Sequence, residues 1–107
     1  MRFDPSVGSE IQKTRPALIV SATPFNGRTK LTMLPLTSRE PNNPKMLSVL
    51  VAVEPSLQNG LKQKSYVIGI DPATFDKQRL VQYLGQLEAD PLRRVQRILQ
   101  LYLGLGP

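Results

Sequence analysis

The chain has 107 residues, the size of one small domain, with 14 Lys/Arg against 8 Asp/Glu and a formal charge of +6. It contains neither cysteine nor histidine. That excludes disulfides, thiolate metal sites, histidine general bases, and the Ser-His and Cys-His nucleophile pairs.

Ten prolines and seven glycines, with 40% apolar residues, predict a globular domain of short strands joined by turns. Asp4-Pro5-Ser6 reads as a turn, and residues 1–7 are too few for a full strand before it. Residues 8–15 form a polar loop carrying Glu10, Lys13 and Arg15. The apolar run Ala17-Leu18-Ile19-Val20 predicts a buried strand over residues 17–22. Pro16 stiffens its entry and holds Arg15 extended, so a guanidinium is fixed where a polar loop meets the core. Asn26-Gly27 signals a turn, with Phe25 either an exposed stacking surface or, the favoured reading, a core plug beneath the loop. A second strand is expected over residues 31–36, with Pro35 at an edge, bulge or strand end. Thr37-Ser38-Arg39 follows at once, and residues 40–45 form a Pro- and Asn-rich loop.

Residues 46–53 are apolar on both faces, which predicts a central third strand. A polar loop over 54–64 with an Asn59-Gly60 turn leads to a fourth strand, residues 65–70, ending at Asp71-Pro72. Asp76 can cap a helical turn. Residues 77–87 are ambiguous: Leu80, Val81, Leu84 and Leu87 fit a helical face that Gly85 weakens. Asp90 as N-cap and Pro91 as first residue predict a final helix. Its apolar face is Leu92, Val95, Ile98, Leu99 and Tyr102, its solvated faces carry Arg93, Arg94 and Arg97, and Gly104 is its C′ stop. No apolar run reaches membrane-spanning length and no signal pattern is present, so no membrane contact is expected and the expected compartment is the cytoplasm.

The basic surplus is uneven, because 9 of the 14 Lys/Arg but only 4 of the 8 Asp/Glu fall within residues 1–64. A polyanionic partner follows from this, nucleic acid first. Two polar clusters stand out, residues 9–15 entering the first predicted strand and Thr37-Ser38-Arg39 leaving the second. If those strands are antiparallel neighbours, the clusters meet at one end of the sheet. A guanidinium (Arg15) and a hydroxyl (Thr37) then converge, with Lys13, Arg28 and Arg39 nearby. Such a site suits a phosphate. It lacks a strong nucleophile, but RNA supplies its own in the 2′-hydroxyl. An enzyme using that hydroxyl mainly has to stabilise negative charge on phosphorus, which Arg and Thr can do without histidine or metal. Arg15 is a poor general base; Glu10 or Asp71 is a better candidate for orienting it or accepting a proton.

Several blocks carry a family resemblance. Phe3-Asp4-Pro5-Ser6-Val7-Gly8-Ser9-Glu10, then Lys13-Thr14-Arg15-Pro16-Ala17-Leu18-Ile19-Val20-Ser21, resembles the opening of a MazF/PemK-family toxin. Phe25-Asn26, Pro35-Leu36-Thr37-Ser38, Gly60-Leu61, Ser65-Tyr66-Val67 and Asp76-Lys77-Gln78-Arg79-Leu80 follow in the family's order, then Gly85 and a terminal helix. The resemblance spans residues 1–107 as one toxin domain.

It implies a mainly β fold with a C-terminal helix, a small SH3-like antiparallel β-barrel of the CcdB/MazF kind. It also implies a metal- and cofactor-free, sequence-selective endoribonuclease that cuts single-stranded RNA, often mRNA, by 2′-hydroxyl attack. The implied partners are RNA, a second copy in a homodimer, a cognate antitoxin that blocks the site, and operator DNA bound together with the antitoxin. The family's catalytic arginine and threonine fall on Arg15 and Thr37, a site-supporting acid on Glu10, and a substrate-contacting position on Ser38. Lys13, Ser38, Arg28, Arg39 and Asp71 complete the expected RNA-binding set.

Three departures accompany the resemblance. Most of the family's first strand, which precedes the Asp-Pro turn, is missing. Asp71-Pro72-Ala73-Thr74 replaces an Asp-Gln-x-Arg-Thr pattern and lacks its arginine. Ser9 stands where some members have histidine. Two other readings compete: an inactive copy that binds antitoxin or DNA, and a gyrase-binding toxin of the CcdB type. The second lacks support in the chain's end, Leu103-Gly104-Leu105-Gly106-Pro107, which has no tryptophan.

Overall fold

The computed structural model describes residues 6–10 (backbone only), 15–22, 25 and 27–105. Seven strands form one antiparallel sheet: β1 (Ser6–Glu10), β2 (Pro16–Ile19), β3 (Lys30–Thr37), β4 (Leu50–Val53), β5 (Ser65–Ile68), β6 (Ala73–Asp76) and β7 (Leu80–Gln86). Among the described residues one α-helix, α1 (Ala89–Tyr102), follows the strands. The sheet order is β4-β5-β3-β2-β1-β7, with β6 also on β3. The mainly β architecture with a C-terminal helix is as expected; among the described residues no ladder joins β7 to β4, so the sheet is not closed. The expectation that most of the family's first strand is missing concerns residues 1–5, which lie outside the described residues.

β2 is buried on both faces because it lies in mid-sheet with apolar residues on each side. Leu18 and Val20 join Leu34, Leu36, Val51, Val53 and Val67 beneath the helix residues Val95 and Leu99. Ala17 and Ile19 join Leu31 and Met33 in a second cluster, covered by Phe75 and Leu80. The period-two alternation thus feeds two small cores from one pair of strands. β3 serves three partners. β2 lies along one edge; on the other, residues Lys30 to Met33 pair with β6 and Leu36 to Thr37 with β5. Pro35 falls where that edge changes partner, inside the strand rather than at its end, so its absent N–H sits at a break in the ladder.

Several expectations are corrected. Residues 6–10, read as turn and loop, form β1 between β2 and β7, held by main-chain pairing that polarity does not reveal. The third predicted strand divides into a 3-10 turn, Pro44–Val49, and the short β4. The Asn43 side chain accepts from the Lys45 N–H at 3.0 Å and Pro44 pre-sets the helical φ, so the turn starts before the apolar run can extend. β4 is an edge strand with Ala52 exposed, not a central one. β6, read as loop, is recruited by the free edge of β3. Asp76 caps a short helical turn as expected, accepting from the Gln78 N–H at 2.9 Å. The chain then extends as β7 rather than as a helix, because β1 offers it a pairing edge. Phe25 is 63% exposed and plugs nothing.

α1 begins two residues earlier than its sequence suggests. Glu88, not Asp90, is the N-cap residue, and Asp90 instead pairs with Arg93 in the first turn. Val95 and Leu99 are buried, but Tyr102 is exposed beyond the sheet's reach. Gly104 does end the helix: its φ is +68°, its N–H reaches the Leu101 carbonyl, and the Leu105 N–H reaches that of Gln100. These two bonds form a Schellman cap. No helix among the described residues is long and apolar enough to cross a membrane.

Candidate functional site

β2 and β3 are antiparallel neighbours with Ala17 opposite Pro35, and β1 sets Ser9 opposite Pro16. Continued past these pairs, the registers place Glu10, Arg15 and Thr37 in one row across three strands, with Tyr66 of β5 paired directly to Thr37. The two polar clusters therefore meet at one end of the sheet. There they open onto a cleft of about 610 Å³. Arg15, Pro16 and the run Leu36, Thr37, Ser38 and Arg39 line one side, with Gly60, Leu61, Lys62, Gln63, Ser65, Gln82 and Leu84 completing it.

Arg15, Ser38 and Arg39 are exposed and Thr37 is half-buried. The Thr37 hydroxyl oxygen accepts from the Arg39 N–H at 3.2 Å, which orients the oxygen and leaves its hydrogen to donate into the cleft. Among the described residues the lining contains three cations, Arg15, Arg39 and Lys62, and no carboxylate. None of the three has an ion-pair partner among the described residues. Uncompensated charge of one sign at a concave surface attracts anions. The donor set, two guanidinium forks, an ammonium and a hydroxyl, matches phosphate oxygens.

The remaining expected site residues are placed differently. Glu10 ends β1 and pairs with Leu80 of β7, so its backbone lies in the row next to Arg15. Lys13 lies outside the described residues. Arg28 is exposed in the turn before β3, roughly 23 Å of extended strand from Thr37, and does not line the cleft. Asp71 is exposed in the turn after β5, where its N–H donates to the Ile68 carbonyl at 3.4 Å, and it does not line the cleft either. Arg28 lies 9 positions before Thr37 in the chain and Asp71 32 after Arg39, and neither returns to the described cleft lining.

Lys62, Gln63, Gln82 and Leu84 line the cleft without having been singled out in the sequence. The loop that supplies the first two is built on Asn59, which is fully buried. Its carbonyl oxygen accepts from the Ser56 and Leu61 N–H groups at 3.1 and 3.0 Å. Its amide donates to the Glu54 carbonyl at 2.9 Å and to Glu88 at 3.0 Å. Gly60, at φ +70°, is pressed against the Leu84 carbonyl, and the Gln86 N–H donates to the Gln58 carbonyl at 2.9 Å. A side chain at Gly60 would collide with that carbonyl. The "polar loop" is thus a braced wall, and the one sequence signal for it was Asn59-Gly60.

Burial opposes ionisation of Glu88, but the hydrogen bonds from the Ser56 hydroxyl (2.6 Å) and the Asn59 amide outweigh it and hold the carboxyl below its ordinary value. A carboxyl depressed in the folded state stabilises the fold above its unfolded pKa, and that contribution is lost as pH falls through the folded value. Wild type is therefore expected to lose more stability than Glu88→Gln on acidification from about pH 6 to pH 3. Urea midpoints across that range check this; parallel losses in the two proteins would refute it.

Comparison with known proteins bears on the same architecture. A family model described as the PemK-like, MazF-like toxin of type II toxin–antitoxin systems matches residues 1–103. Among solved structures, the chain is similar to an endoribonuclease in complex with its cognate antitoxin from a mycobacterial species. The identity is 24%, the TM-score 0.79, and the match covers 100% of this chain and 99% of that one. It is similar to the Mycobacterium tuberculosis toxin MazF-mt6 at 22% identity and TM-score 0.78, over 97% of this chain and 100% of the other. A MazE–MazF structure (form III) from Deinococcus radiodurans gives 24% identity and TM-score 0.77, over 97% of both chains. At these identities the likeness establishes the fold. Comparison with curated protein sequences finds no match.

Proposed function

For a chain that belongs to the PemK-like, MazF-like toxin family of type II toxin–antitoxin systems, we propose the activity of a metal-independent endoribonuclease toxin acting on single-stranded RNA. The observation that carries this reading is the cleft shared by Arg15 and Thr37, whose described lining residues are cationic and polar without a carboxylate among them. In the proposed reaction the 2′-oxygen of a ribose attacks the adjacent phosphorus and the bond to the 5′-oxygen breaks. The products are a 2′,3′-cyclic phosphate and a 5′-hydroxyl; the 2′-hydroxyl gives up its proton and the departing 5′-oxygen gains one. Charge accumulates on the non-bridging oxygens, where the Arg15 fork and the Thr37 hydroxyl stabilise it more than they do the ground state. Glu10, beside Arg15 in the row across the sheet, is the acid to orient the guanidinium or take the proton. Ser38 and Arg39 follow Thr37 directly and hold the strand by its phosphates, with Lys13 a further contact from the preceding loop.

The same reading includes a cognate antitoxin that occupies the cleft's surroundings, supported by the similar mycobacterial endoribonuclease solved with its antitoxin. It also includes a homodimer, a cytoplasmic location, and operator DNA contacted together with the antitoxin. Purified protein is expected to cut a mixed-sequence single-stranded RNA in EDTA, at a recurring short motif, leaving 5′-hydroxyl ends. Sequencing the fragments checks this. A folded protein that leaves the RNA intact would refute the enzyme and favour a copy that only binds.

A further inference from the structure

The chain from Gly60 to Ser65 supplies Gly60, Leu61, Lys62, Gln63 and Ser65 to the cleft lining. Gly60 is seated on the Leu84 carbonyl of β7, and Tyr66 is paired to Thr37 of β3. Between these anchors the segment is tied down twice more. The buried Leu61 donates its N–H to Asn59, and the buried Ser65 hydroxyl donates to the Gln63 carbonyl at 3.0 Å. The backbone under Lys62 is therefore fixed, while the Lys62 side chain is exposed and lines the cleft. Its neighbour Lys64 differs in both respects: it is paired with Glu54 at 3.5 Å and does not line the cleft.

We infer that Lys62 is a phosphate-binding residue for the RNA strand. It holds a phosphate next along from the one between Arg15 and Thr37, so that the cleft grips the backbone at two points. This rests on the ribonuclease reading and extends it to a residue on the far wall. The physical grounds are three: an ammonium without a carboxylate partner among the described residues, a braced backbone that costs little further ordering on binding, and a cleft volume of about 610 Å³ that exceeds a single phosphate. An ammonium is a point charge without a fork, so Lys62 strengthens binding of all sequences alike and selects none.

The test measures binding of a mixed-sequence single strand with 2′-deoxyriboses, which has no attacking hydroxyl, over a range of salt concentrations. Each phosphate contact on a single strand contributes about 0.7 to the slope of log K against log salt. Lys62→Ala is expected to lower that slope by about 0.7, Lys62→Arg to restore it, and Lys64→Ala to leave it at the wild-type value. A wild-type slope in Lys62→Ala, with wild-type protein binding the strand and cutting RNA, overturns this inference alone. Wild-type protein that neither binds the strand nor cuts RNA overturns the ribonuclease reading and this inference with it.

Discussion

Replacing Arg15 by alanine is expected to lower RNA cleavage by about 100- to 1,000-fold, the scale set by removing one preorganised donor from a developing oxyanion. Arg15 is exposed and makes no hydrogen bond or ion pair among the described residues, so its loss should leave stability within about 0.5 kcal/mol of wild type. That combination separates chemistry from folding. Arg15→Lys is the informative companion. It keeps the charge and loses the two-pronged donor, so it should recover part of the phosphate attraction and little of the rate. Single-turnover cleavage of RNA by the three proteins, with urea unfolding in parallel, measures both quantities. Full cleavage by Arg15→Ala would remove this residue from the reaction.

The second large effect is on stability. Asn59→Ala is expected to destabilise the fold by about 3–5 kcal/mol, a large share of the 5–15 kcal/mol typical of a domain. Alanine would leave the Ser56 and Leu61 N–H groups and the Glu54 carbonyl without partners in a buried place and would take one donor from Glu88. Each unsatisfied buried group costs about 1–3 kcal/mol, and water entering the gap recovers part of it. Because the same loop continues into Lys62 and Gln63, the variant should also bind RNA more weakly under conditions where it is still folded. Urea denaturation gives the first number. A shift below about 1 kcal/mol would mean that the Asn59 network braces less than its geometry implies.

Much of this molecule is written locally. Ala17-Leu18-Ile19-Val20 is a strand because its run of apolar, partly β-branched side chains has no other stable use, and β2 occupies its first half. Helix α1 follows from the spacing of Leu92, Val95 and Leu99, and Gly104 stops it by the left-handed φ that glycine adopts without strain. The pairing of Arg15 with Thr37 could be argued from order alone. One residue precedes a strand, the other ends the next, and antiparallel neighbours bring such ends together. The charge surplus, and the absence of histidine and cysteine, were likewise properties of composition.

What local sequence did not determine is what depends on a free edge or a distant partner. β1 and β6 are polar segments that become strands because β2, β7 and β3 leave unpaired main-chain groups beside them. β7 has the side-chain spacing of a helix, but pairing with β1 satisfies its backbone and decides its form. Arg28, 9 positions before Thr37, and Asp71, 32 after Arg39, could be grouped with the site for their charge, but neither lines the cleft. Lys62 is held at the cleft because its chain neighbours are bonded to Asn59, packed on Leu84 and paired with Thr37, residues 3, 22 and 25 positions from it in the chain. Side-chain patterns encode which face a segment buries; only the assembled sheet decides which backbone edges remain to be paired, and so which polar loops become the walls of a site.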